Sequence, residues 1–159
     1  TKGGESAAAF IYEIENLQPG MPAPEIAGKD AAGKEWKLSD LKGRVVVLKF
    51  WRFSCPDCRK QIPHERELVE RLKDKPFTLL GIAADEGGGA PQKRTADNKI
   101  NWPNIYDGKR GEGVIAAKWN ILRVPTIYVI DQQGVIRHRD LTGKKLDEAV
   151  EALLAARPD

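Results

Sequence analysis

Val45, Val46, Val47 and Leu48 stand in succession, with no polar residue among them to mark an outer face. A run of that kind predicts a strand over 44–50 that is covered on both sides, at the centre of a parallel or mixed sheet. Residues 77–84 predict a second buried strand and 126–130 a third, followed by a DQQG turn and a hairpin partner at 135–139. Two stretches carry a helical period. Ile62, Val69 and Leu72, with Leu68 beside them, mark one stripe of a helix over 56–74. Pro63 lies inside it, cannot donate to the Arg59 carbonyl, and predicts a kink. Leu146, Ala149, Val150, Leu153 and Leu154 mark an amphipathic C-terminal helix.

Weaker signals fill the rest. Residues 25–27 and 35–38 read as a hairpin turning at Gly33, and 39–41 as one helical turn. The DEGGGA run at 85–90 reads as a loop, and Pro91 opens a helix to about 99. An extended piece at 102–107 and a short helix at 112–119 follow. Residues 1–9 are small and polar, and 10–14 alternate, which predicts an edge strand in a lead-in spanning 1–16. A single domain is expected over 17–159. Its order of strands and helices is that of an α/β protein with a central mixed β-sheet.

Composition narrows the functions. The 159 residues are 41% hydrophobic and 31% charged, and 26 basic against 23 acidic residues leave a net charge of +3. That balance, with basic residues scattered, gives no footprint for nucleic acid. No apolar run approaches the roughly 18 residues of a membrane span. The chain opens at Thr1 without a basic-then-apolar leader, so the expectation is either a cytosolic protein or one that has lost a leader or upstream segment.

Both cysteines fall in one stretch, FWRFSCPDCRK at 50–60, where a strand is predicted to give way to a helix. A C-x-x-C pair there is suited to redox chemistry. The helix start aims unpaired N–H groups and a partial positive charge at the first sulfur. Cys55 is therefore the expected nucleophile, and Cys58, one turn further in, the resolving thiol. Asp57 between them opposes a thiolate, Arg59, Lys60 and Lys49 favour it, and Pro56 removes one potential donor. Structural zinc wants four ligands, whereas only two cysteines and two histidines exist, and His138 is far from His64 in sequence. No metal and no cofactor are expected.

Some 70 residues after the cysteines stands VPTIYVIDQQG, and together with FWxxxCxxCR this resembles the thioredoxin superfamily. More narrowly, the chain is similar to the TlpA/ResA-type thioredoxins. The opening GMPAPEIAGKDAAGKEWKLSDLKGRVVVLKFW and the insertion holding NWPNIYDG carry that likeness from about Leu17 onward. The resemblance implies a thioredoxin-like fold with an N-terminal β-hairpin and a central αβ insertion. It implies a cis Val124–Pro125 bond against the disulfide, with the Val124 backbone placed to pair with a substrate strand. Thiol–disulfide exchange is implied, most often reduction, acting on a disulfide-containing protein (or a small thiol) and fed by a thiol donor protein. An extracytoplasmic, periplasmic setting is implied too, with an upstream anchor or domain common in the family.

The chain also departs from that pattern. Ser54 stands where thioredoxins carry tryptophan, so the bulky substrate rim is expected from Phe53, Trp51 or elsewhere. Lys49 stands where they bury a carboxylate. Either Lys49 snorkels to the sheet end, or it is buried, gives up its proton readily and activates Cys58. Asp85 and Glu86 read as a solvated loop, and Arg123 is a candidate contact for a substrate carboxylate. Two other functions compete. A peroxiredoxin-like thiol peroxidase would show P-x-x-x-[ST]-x-x-C, but Leu48 and Arg52 occupy the proline and hydroxyl positions. A redox-inactive binding module would not need its cysteines.

Overall fold

A computed structural model of the chain describes residues 2–85, 91–109 and 112–156. Five strands form the main sheet: β3 (Val45–Trp51), β4 (Phe77–Asp85), β5 (Asn104–Lys109), β6 (Thr126–Ile130) and β7 (Ile136–Arg139). Their order is β5-β4-β3-β6-β7. β3 runs parallel to β4 and β4 to β5, whereas β6 lies antiparallel to both β3 and β7. β3 is thus flanked on both edges, and every residue of it is buried. This is the α/β thioredoxin-like fold. The N-terminal hairpin is present as β1 (Ala27–Lys29) and β2 (Glu35–Lys37), with Gly33 at a positive φ of 84° in its turn. Its first strand lies two residues later than expected. Glu25 instead accepts the N–H groups of Ile26 and Ser39, both at 3.0 Å.

Strand alternation divides the core into two layers. Val45, Val47 and Trp51 of β3 face the side covered by α2 (Pro56–Arg71) and α5 (Gly143–Ala155), where Cys58, Ile62, Leu68, Leu146 and Val150 join them. Val46, Leu48 and Phe50 face the other side, against Leu17, Trp119 and Tyr128. α2 runs on through Pro63. α3 (Pro91–Asp97) and α4 (Val114–Lys118) belong to the central insertion.

The expected edge strand at 10–14 is not there. These residues lie in a helix, α1 (Lys2–Asn16). Ala9, Tyr12, Glu13, Asn16 and Leu17 turn inward at a helical period, while Phe10, Ile11 and Ile14 stay exposed. The inward stripe is partly polar because Glu13 pairs with Arg139 of β7 and accepts a hydrogen bond from Asn120. Asp85, expected to open a loop over 85–90, instead ends β4, and residues 86–90, with Glu86, lie outside the described residues.

Candidate functional site

β3 ends at Trp51, and Cys55 is the N-cap of α2. Its sulfur accepts the Cys58 N–H at 3.1 Å, one of the amides a helix start leaves unsatisfied. Pro56 takes the first helical position, where its missing N–H costs nothing. Cys55 and Cys58 form a disulfide with Cα atoms 5.2 Å apart. Cys55 is the outer member at 7% exposure, and Cys58 is fully enclosed at 0%. The Val124–Pro125 bond is cis, and the Val124 carbonyl oxygen lies 3.8 Å from the Cys55 sulfur. Val124 separates two hollows. One, of about 590 Å³, opens toward α2 over Lys60, Gln61 and Pro125. The other, of about 490 Å³, opens toward α4.

Lys49 does not snorkel. Its side chain is wholly buried, with Nζ 2.6 Å from Glu65 Oε2 and donating to the Cys58 carbonyl at 3.3 Å. β3 aims it at α2, on the same face as Val47 and Trp51, and Glu65 meets it from the buried side of that helix. Burial pushes Lys49 below the usual lysine range, although Glu65 pulls it back. Burial likewise pushes Glu65 above the usual carboxylate range against the pull of Lys49. Sequence reasoning did not single out Glu65. Its signal was positional: it falls three residues after Ile62 and four before Val69, on the apolar stripe.

Trp51 and Phe53 form no rim. They are 1% and 8% exposed and meet as tilted rings with centres 4.5 Å apart. Trp51 Nε1 donates to Asn104 Oδ1 at 2.8 Å across the sheet end. That contact depends on Gly81, where a Cβ would lie 1.8 Å from Asn104 Oδ1 and 2.9 Å from Trp51 Nε1. The exposed apolar side chain beside Val124 is Leu122, at 86% exposure. Asp57 stands in solvent, 3.6 Å from an equally exposed Lys60. His64 pairs with Asp147 of α5 at 2.9 Å and ties α2 to it. Among the described residues, no cluster of His, Cys, Asp and Glu is built to hold a metal ion.

The sequence profile of the AhpC/TSA family matches residues 19–139. The chain belongs to the AhpC/TSA family. Within it, a similar protein is the thiol–disulfide oxidoreductase ResA of Bacillus thuringiensis, 30% identical over 91% of this chain and 82% of the relative. Among solved structures, the thioredoxin domain of a thiol–disulfide oxidoreductase from Bacteroides vulgatus superposes with a TM-score of 0.78 at 30% identity, covering 87% of this chain and 99% of that one. A secreted thiol–disulfide isomerase from Corynebacterium glutamicum superposes at 0.68 with 26% identity, covering 82% of each chain. This AhpC/TSA member is a thiol–disulfide oxidoreductase, and its C-x-x-C pair is Cys55–Cys58.

Proposed function

We propose that the chain reduces protein disulfides outside the cytoplasm through its CPDC pair. The observation that carries this reading is the placement of Cys55: at the mouth of α2, outermost of the pair, and 3.8 Å from the Val124 carbonyl. In the reduced protein the Cys58 N–H and the helix start stabilise a Cys55 thiolate. That thiolate attacks one sulfur of a substrate disulfide, forms a mixed disulfide and releases the other substrate sulfur as a thiolate. Cys58, once deprotonated, attacks Cys55 and releases the second substrate thiolate. Two electrons pass to the substrate, the Cys55–Cys58 disulfide returns, and a thiol donor protein reduces it again. Val124 and Pro125 position the substrate strand. Lys49 and Glu65, the ionisable pair nearest Cys58, tune the second step. Asp57 acts only through solvent, and Pro56 fixes the first turn. The secreted relative supports the extracytoplasmic setting.

A titration against glutathione or dithiothreitol tests the direction. We expect a reduction potential near the reducing end of the range for such pairs, about −270 mV, whereas a value near about −120 mV would make the protein an oxidant. Cys58→Ser traps the mixed disulfide, and Cys55→Ser loses exchange. Retained activity in Cys55→Ser would leave a binding module. Peroxide consumption outpacing disulfide exchange would leave a peroxidase.

A further inference from the structure

We infer that the hollow on the α4 side of Val124 docks an acidic, partly apolar segment of the substrate protein next to its target cysteine. This rests on the exchange reaction proposed above. The hollow borders the reacting centre, because Val124 forms one of its walls and carries the carbonyl beside Cys55. A chain segment seated there keeps an adjoining sulfur within reach of Cys55. Its volume of about 490 Å³ lies in the range of pockets that enclose a drug-sized molecule, so it holds a short run of residues and not a helix.

Two features set the chemistry of the occupant. The wall from α4 onward is apolar: Ala116, Ala117, Ile121 and Leu122. Leu122 presents 86% of its surface to water, an arrangement that costs hydration unless a partner covers it. Among the described residues, the exposed charged lining is cationic, from Lys109 and Arg123. Asp107, the one carboxylate among the described lining residues, is committed elsewhere. It accepts the N–H groups of Ile115 at 2.9 Å and Ala116 at 2.7 Å, and so caps α4. Gly113 holds it there, since a Cβ at that position would lie 2.4 Å from Asp107 Oδ2. Arg123 makes one long contact with Asp140, at 3.5 Å, yet stays 77% exposed and available to a second carboxylate. A cationic lip over an apolar wall fits an acidic residue next to an aliphatic one. Rim charges of this kind act mainly on encounter rate and partner choice, and salt screens them.

The test uses the intact protein and two cyclic disulfide peptides that differ only in carrying Glu-Leu or Lys-Leu beside the target cysteine. We expect kcat/KM to favour the Glu peptide by about tenfold at low salt, and the preference to shrink at high salt. The Arg123→Glu, Lys109→Glu double variant changes two exposed side chains, and its preference is expected to invert. Equal rates for the two peptides with the unaltered protein, or a preference for the Lys peptide, would overturn the inference. Hydroxyethyl disulfide separates this failure from that of the underlying reaction. If the unaltered protein does not exchange with it either, the oxidoreductase reading itself is at fault.

Discussion

Lys49 and Glu65 meet where water does not reach, 2.6 Å apart and 0% and 3% exposed. Burial moves both toward their neutral forms. A lysine that holds its proton less firmly when folded, and a carboxyl that holds its proton more firmly, each make ionisation a cost to folding at neutral pH. Coulomb attraction offsets that cost only in part. Lys49→Met or Glu65→Leu alone strands one charge and should lose about 3–5 kcal/mol in urea unfolding. The double variant should be neutral or gain about 1–4 kcal/mol. It should also resolve mixed disulfides more slowly, because no ionisable pair remains beside Cys58. A stable double variant with an unchanged second step would leave the pair no part in exchange. The burial of Lys49 was legible in principle: residues 45, 47, 49 and 51 of a strand share one face, and that face is the one α2 covers. Its partner was not, because a glutamate on a helix stripe reads as an interruption until the strand beneath it is known.

Among the elements, β3, β6, α2 and α5 were readable because apolar burial alone specifies them. α1 was not. Its inward face holds Glu13 and Asn16, while Phe10, Ile11 and Ile14 point to water, so the apolar period misled and 10–14 looked like alternation. A tertiary contact overrides the local pattern. Glu13 binds Arg139 of β7 and Asn120 at the end of α4. Burial works to raise the Glu13 pKa, but the hydrogen bonds from Arg139 and Asn120 outweigh it and hold it below the usual carboxylate range. A carboxyl with a depressed folded pKa stabilises the fold above its unfolded pKa, and that contribution goes as pH falls through the folded value. Protection of the α1 amides, measured against their intrinsic exchange rates, is therefore expected to fall selectively as pH drops below about 4, the ordinary carboxylate range. Glu13→Gln should show low α1 protection at every pH. If α1 protection follows the rest of the sheet through acidification, Glu13 does not hold the helix.

For the molecule as a whole, stability comes from the two core layers and not from the disulfide. A loop this short removes about 2 kcal/mol or less of unfolded-chain freedom. Reduction frees Cys55 to ionise at the helix start, which compensates part of that loss. Urea midpoints of the oxidised and reduced proteins should then differ by no more than about 2 kcal/mol in stability. Unfolding on reduction would show that the pair is a structural staple. The thiol pair was visible in the sequence because its parts are local: two cysteines, a strand before and a helix after. The rim expected from Phe53 and Trp51 was misplaced, since Trp51 is drawn inward by its bond to Asn104 over Gly81 and Phe53 packs on it, while Leu122 is the exposed apolar residue beside Val124.

The atom that caps α2 is also the one assigned the attack in the proposed exchange. Adding electrons to the pair therefore changes the electrical terminal of a 16-residue rod from neutral to negative, at the end where its peptide dipoles are positive. In the proposed cycle that terminal is negative only in the reduced half, so the two halves differ in charge at the turn a partner would meet first.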